Sequence, residues 1–359
     1  MTLVPYFFHT VYMAKNILGI NIGEHLITMA IVSRSDKQVV PIALALEQIP
    51  INMYINESEE AENKIVALVK KMLSEAKITL RNAAIILPDA KSYMRITEAP
   101  ALTEKELISA IRYQADQFIP LPIEQVSLDI EVLKEDKKNK KKVVFLVAAA
   151  ETYVDRISRV VEKAGLIPQF LENETTSLFR LLSKYVAIIP QGPNPGYFMF
   201  INIGISATSI VLYDMQAKLP IATLGLSIGY DLFVRDLKSN LQLDEVKINQ
   251  LLQETGFSQV AAPYQIAPII QGPFDELTKE INHFLMVIKD QTNIGISRIF
   301  LLGEGNLIAD LDKKISQTMG VPTSTYDLTA IVKSNNVSSY FQKSLGLFIP
   351  AIGAAIKET

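Results

Sequence analysis

One stretch of this sequence occurs twice, and the repeat constrains the fold more than anything else in the chain. Gly19 to Val32 (GINIGEHLITMAIV) and Phe200 to Tyr213 (FINIGISATSIVLY) both place Asn-Ile-Gly between two apolar runs, with Asn202 standing 181 positions after Asn21. Each copy reads as a strand, a glycine turn and a second strand. A repeat at half the chain length implies a duplicated domain. A glycine at such a turn lets backbone N–H groups approach a ligand closely, as phosphate-binding hairpins require. Two such hairpins facing each other would form a clamp.

The rest of the composition narrows the class. A chain of 359 residues has room for two ordinary domains. Apolar residues make up 49% of it and mean hydropathy is +0.21, yet no apolar run approaches the ~18 residues that would span a bilayer. The expectation is a soluble protein. A net charge of −3 argues against a nucleic-acid groove. The absence of cysteine excludes disulfides and thiolate metal sites, and His9, His25 and His283 are too scattered to suggest a metal site. Residues 1–12 (MTLVPYFFHTVY) lack the features of a signal peptide, and Met13 looks like a more natural start. They read as a disordered or mis-assigned extension, with a weak interfacial membrane contact as the sharper alternative.

Along the chain, Gln38 to Ile49 is a third strand, and Ile65, Leu68, Val69, Met72 and Leu73 recur at helical spacing. Ala83 to Leu87 is a buried strand closed by Pro88-Asp89. From Arg95 the texture changes. Thr103 and Glu106 form a capping box for a helix whose face carries Leu107, Ile111, Ala115 and Phe118. Val126 to Leu133 and Val143 to Ala150 make a hairpin whose tip, Lys137 to Lys142, reads as a solvated turn, with a contact to anionic lipid head groups as the alternative. A helix from Thr152 to Ala164 follows, so residues 94–168 read as an inserted block. Gln169 to Glu172 is a strand and Thr175 to Tyr185 a helix, and the breaker-rich Pro190 to Gly196 divides the halves. The second half repeats the order. It adds helices at Tyr230–Leu241, Asp244–Thr255, Phe274–Gln291 and Leu307–Met319, a strand at Ile299–Leu302, and a last helix, Leu345–Lys357, broken by Pro350.

Two such halves, with a strand running into Gly303-Glu304-Gly305, resemble the actin-like ATPase superfamily. The string Arg95, Pro100, Glu106-Leu107, Phe118-Ile119-Pro120-Leu121-Pro122-Ile123-Glu124 and Leu128-Asp129 is similar to the PilM family, the actin-like component of type IV pilus assembly and a relative of FtsA. The likeness continues through Ala164 to Pro168 and Ala351 to Ala355. It implies an α/β, actin-like (ribonuclease H-like) fold of two duplicated halves with an inserted FtsA-type subdomain. Residues 1–15 would be an extension, 16–93 and 169–190 subdomain IA, 94–168 the inserted IC, 196–225 and 298–359 IIA, and 226–297 IIB.

The resemblance also implies partners. PilM-like proteins hold the cytoplasmic N-terminal peptide of a PilN-like membrane protein in a groove involving IA and IC. That would place this chain in the cytoplasm, peripheral to the inner membrane through a PilN/PilO complex, with a pilus motor ATPase and self-association as further contacts. ATP and Mg²⁺ are the implied cofactors, and the site residues are Asn21, Gly23, Asn202, Gly204, Ser206, Thr208, Gly303 and Gly305, with Glu174 as the group that would position an attacking water. The chain departs from the superfamily where each hairpin usually carries Asp-x-Gly. Asn21 and Asn202 bring no negative charge, which weakens a Mg²⁺ site, and Glu24 would repel phosphate. The expectation is therefore a degenerate ATPase acting as a scaffold, with an active ATPase as the alternative. For Glu174 the bland reading is a helix-terminal acid satisfying backbone N–H groups. Gly225-Leu226-Ser227-Ile228-Gly229 also fits a hydrolase nucleophile elbow, but the chain offers His283 alone as a downstream base. A metabolite kinase would share the fold, but the chain shows no acceptor-site motif with a positioned base.

Overall fold

The computed structural model describes residues 16–35, 38–114, 119–185, 196–259, 263–291 and 295–357. Residues 1–15, most of the 190–196 breaker segment, and Ala115 and Phe118 of the expected helix face lie outside the described residues. The chain divides into two compact units, Met1–Pro190 with Asp327–Thr359, and Gln191–Tyr326.

The first unit opens with β1 (Leu18–Ile22), β2 (Leu26–Arg34) and β3 (Val39–Gln48), then α1 (Glu59–Glu75) and β4 (Asn82–Leu87). The inserted segment follows, with β5 (Ser92–Pro100), α2 (Glu104–Gln114), β6 (Val126–Asp136) and β7 (Lys141–Ala150). The unit continues through α3 (Glu151–Lys163), β8 (Ile167–Asn173) and α4 (Glu174–Tyr185). Its main sheet has the order β3-β2-β1-β4-β8, antiparallel over the first three strands and parallel over the rest. Both faces are covered, which is why β4 reads as a continuous apolar run. On one face Leu18, Ile20 and Ile22 pack with Ile65, Val69 and Met72 of α1 and with Ile157, Val160 and Val161 of α3.

The inserted sheet is smaller, with the order β5-β7-β6. Its own core joins Leu107 and Ile111 of α2 to Ile130, Val144 and Leu146. The capping box expected at Thr103 is present, since Thr103 N donates to Glu106 Oε2 at 2.9 Å and Glu106 N to Thr103 Oγ1 at 3.4 Å. Two features correct the 94–168 block. Its first strand begins at Ser92, and α3 buries its apolar stripe in the main core rather than against the inserted sheet.

The second unit comprises β9 (Tyr197–Ile203), β10 (Thr208–Asp214), β11 (Leu219–Leu226), α5 (Tyr230–Leu241), α6 (Glu245–Glu254), α7 (Ala267–Gln291), β12 (Ile296–Gly303), α8 (Leu311–Met319) and β13 (Thr323–Thr325). Its sheet order, β11-β10-β9-β12-β13, reproduces that of the first unit, with the same change from antiparallel to parallel pairing. The sequence duplication is thus a duplication of topology. The helix expected from Phe274 starts at Ala267 and runs through Pro273, because Ile270 as well as Phe274 and Leu277 is drawn into the core.

The end of the chain returns to the first unit as α9 (Asn336–Tyr340) and α10 (Ile349–Ala355). This corrects the assignment of 298–359 to IIA. Pro350 starts α10 instead of breaking it, as a residue lacking an N–H can in a first helical turn. The reason for the return is close packing. A Cβ on Gly19 of β1 would lie 1.9 Å from the Ala351 carbonyl oxygen, and one on Gly353 would lie 2.4 Å from the Ser177 carbonyl oxygen of α4. Only glycine at both positions lets α10 lie against the sheet and α4.

Candidate functional site

The two hairpins match residue for residue. Asn21 faces Thr28 across the first and Asn202 faces Ser209 across the second, and both turns close with one bond, Gly23 N to Leu26 O and Gly204 N to Ala207 O, each 2.9 Å. The side chains around them differ.

At the first hairpin, the strand ends of β1, β4 and β8 bring together residues far apart in sequence, with Asn21 paired to Ile86 and Leu87 to Asn173. This C-terminal edge of parallel strands is where α/β sheets bind ligands. Asn21 Nδ2 donates to Glu174 Oε1 at 3.1 Å, and Asp89 N donates to Glu174 Oε2 at 3.3 Å. The N–H groups that open α4 are met by other residues. Thr175 N donates to Asp89 Oδ1 and Thr176 N to Asn173 Oδ1, both at 3.0 Å. The Glu174 carboxylate thus takes a side-chain donor from the hairpin and a backbone N–H from the turn after β4. Asn21 Oδ1 is buried with no hydrogen-bond partner among the described residues.

Glu24 is buried, and its carboxylate pairs with Lys91 Nζ at 3.5 Å. Lys91 also lies about 6 Å from the ring centres of Tyr54 and Tyr153. Tyr54 hydroxyl donates to the Ile22 carbonyl at 2.7 Å, and burial, with the carboxylates of Glu174 and Glu24 nearby, pushes its phenol well above the ordinary value. The Glu24 carboxylate is thus engaged in an internal ion pair at the hairpin. Lys91 and Asp89, both in the turn after β4, carried no sequence signal beyond the Pro88-Asp89 break.

The second hairpin is stitched mainly by uncharged groups. Tyr230 N donates to Gly204 O at 2.8 Å and Asp231 N to Ile205 O at 3.0 Å, so hairpin carbonyls take N–H groups that open α5. A Cβ on Gly229 would lie 2.1 Å from the Ile205 carbonyl oxygen. This contact explains the last glycine of the elbow-like motif. Ser227 and His283 are both exposed, and no hydrogen bond joins them among the described residues. Thr208 is fully buried, and its hydroxyl donates to Ile228 O at 2.6 Å, so the expected phosphate contact from Thr208 is corrected to a structural bond. Ser206 stays half-buried at the turn. Gly303 pairs with Ile203 at φ +70°, and a Cβ there would lie 2.5 Å from Asn202 Oδ1. A Cβ on Gly305 would lie 2.7 Å from Ile203 Cδ1. The structure thus brings Gly303 and Gly305 onto the second hairpin.

A separate groove lies within the first unit, a cavity of about 620 Å³ between the inserted sheet and the edge of the main sheet. One wall is β6 from Asp129 to Val132, and the floor includes Phe145 and Val147 of β7. The other wall is Leu171 and Glu172 of β8, with Thr176 and Arg180 of α4 and Lys357 beyond α10. Arg180 holds Glu172 through two bonds of 2.5 Å, and Ser177 Oγ and Lys357 Nζ donate to it at 2.9 and 3.1 Å. Burial pushes the Glu172 carboxyl up, but the Arg180 guanidinium outweighs it and the group ends below its usual value. Both β6 and β8 are the last strands of their sheets among the described residues. Sequence reasoning missed these groove residues, because Glu172, Arg180 and Lys357 meet only in the folded chain.

Two sheets of one strand order, each opening on a glycine hairpin, with a third small sheet inserted into the first, define an actin-like fold. The solved structure of a PilM-PilN type IV pilus biogenesis complex is similar at a TM-score of 0.80 and 23% identity, covering 95% of this chain and 97% of that one. The ethanolamine utilization protein EutJ from Carboxydothermus hydrogenoformans is similar at a TM-score of 0.52 and 11% identity, covering 96% and 90%. A family model described as type IV pilus assembly protein PilM matches residues 19–359, and the chain belongs to that family.

Proposed function

We propose that the chain acts in type IV pilus assembly as a scaffold that holds the cytoplasmic N-terminal segment of a PilN-like membrane protein, with nucleotide hydrolysis weak or lost. The groove between β6 and β8 carries this reading. Strand edges present a row of backbone donors and acceptors to an extended peptide, and apolar pockets beside them take alternate side chains. Phe145, Val147, Leu171 and Val132 supply those pockets here. The contacts with PilO, a motor ATPase or a second copy, and the inner-membrane location, would follow from that partner.

Weak hydrolysis is supported by the donors on each hairpin. Hydrated Mg²⁺ is best held by carboxylates, and here the hairpins offer the amides of Asn21 and Asn202. The Thr208 hydroxyl and the opening N–H groups of α5 are already bonded. The active-ATPase alternative keeps one observation in its favour, the Glu174 carboxylate held at Asn21. Isothermal titration with a synthetic PilN-type N-terminal peptide tests the scaffold. Binding that weakens at least tenfold in Val132→Arg supports it, and no binding at high micromolar peptide overturns it. ATP turnover that disappears in Glu174→Ala would establish the alternative.

A further inference from the structure

We propose that the first hairpin carries an anion site built on Lys91, that the carboxylate of Glu24 fills it from within, and that the site takes a phosphate group once that carboxylate is removed. The inference rests on reading the hairpins as remnants of a phosphate clamp, and it deepens that reading by naming what fills one of them.

The Glu24 and Lys91 side chains are 4% and 16% exposed. A buried carboxylate or ammonium is tolerated when it is paired, and removing one partner leaves an uncompensated charge. Two other carboxylates at this edge accept hydrogen bonds from uncharged groups. Asp89 accepts from Thr175 N and Oγ1, at 3.0 and 2.7 Å, and Glu174 accepts from Asn21 Nδ2 and Asp89 N. Glu24 is set against the lysine, with Lys91 Nζ 3.5 Å from Glu24 Oε1.

The hairpin itself does not require an acid there. The position equivalent to Glu24 in the second hairpin is Ile205, in a turn of the same hydrogen-bonded geometry. Two aromatic rings stand beside the Lys91 ammonium, and with the side chain only 16% exposed its attraction for an anion is less screened than at the surface. His25, the residue after Glu24 in the turn, is exposed. An internal carboxylate at this place holds the lysine as a phosphate oxygen would, so the hairpin stays ordered without a ligand.

The experiment compares the full chain with Glu24→Ala, Glu24→Gln and the double variant Glu24→Ala/Lys91→Ala, each first checked for folding by circular dichroism. Binding of inorganic phosphate, pyrophosphate and metal-free ATP is measured by calorimetry. The three probes separate a free-anion site from one that needs a nucleotide. Glu24→Ala is expected to bind at least one of them tenfold or more tighter than the unaltered chain, and the double variant to lose that gain. Glu24→Gln, nearly the same shape without the charge, gives the reading if the alanine variant does not fold. No gain in the folded single variants, or a gain that survives Lys91→Ala, overturns the proposal. Failure of the unaltered chain to bind the peptide would sink the scaffold reading without touching this result.

Discussion

The two hairpins share a backbone and differ in what holds them. The first is set in charged side chains, with Glu24 against Lys91, Asn21 against Glu174 and Asp89 over the start of α4. The second is held by backbone bonds to α5, by one buried hydroxyl and by glycines that admit close neighbours. Duplication preserved the part that folding requires, a tight turn between two buried strands. Side chains at the tips were free to diverge once the turn was secure. The lesson is that a hairpin of this kind can be read as a fold element from its Asn-Ile-Gly, whereas its chemistry depends on what the rest of the unit brings to it.

The largest effects test what the hairpins share. Each hairpin region has one glycine that admits a helix, Gly19 for α10 and Gly229 for α5. In Gly19→Ala and Gly229→Ala the new methyl would press on backbone at 1.9 and 2.1 Å, and overpacking against a fixed carbonyl should cost about 3 kcal/mol or more. Guanidinium denaturation checks this, and a cost below ~1 kcal/mol would mean that the helices can shift away.

Acid should separate the units next. The depressed carboxyl of Glu172 in the first unit contributes stability that is complete above its unfolded value and is lost as pH falls through its lower folded value. Each unit of depression is worth about 1.4 kcal/mol. Hydrogen exchange followed from pH 6 down to 3 should show the segment around α4 and α10 opening before β9 and β10, and Glu172→Gln should abolish the difference.

A sharper contrast comes from restoring the acids. Asn21→Asp would set a carboxylate where an amide now donates to Glu174 at 3.1 Å. Like charges raise one pKa, so stability should fall by about 1–2 kcal/mol as pH rises past 5 and return on acidification. Asn202→Asp should stay within about 0.5 kcal/mol. Thermal melts at pH 4 and pH 7 measure both, and equal responses would break the comparison. Thr208→Val removes the bond to Ile228 O while nearly keeping shape and should cost about 1 kcal/mol, read in the same melts.

Much of this architecture was legible beforehand, for reasons that lie in short-range chemistry. The hairpins, the capping box at Thr103 and the buried strand at Ala83 to Leu87 are each specified by neighbours a few residues apart. The extent of the insertion was not. The stripe of α3 is apolar whichever sheet it meets, and only packing sent Ile157 and Val160 to the main core. The placement of α10 was likewise invisible, because the fit of Gly19 to Ala351 joins the two ends of the unit.

The amino-acid sequence by itself determined that the chain is a duplicated α/β protein and that neither glycine hairpin carries an acid at its Asn. Residue identity and local spacing suffice for that. The tertiary structure alone decided which charges meet: Glu24 with Lys91, Glu174 with Asn21, and Glu172 with Arg180 and Lys357. Coulomb energy depends on distance in space, and those partners become neighbours only when strand ends, helices and the chain's last residues are packed together.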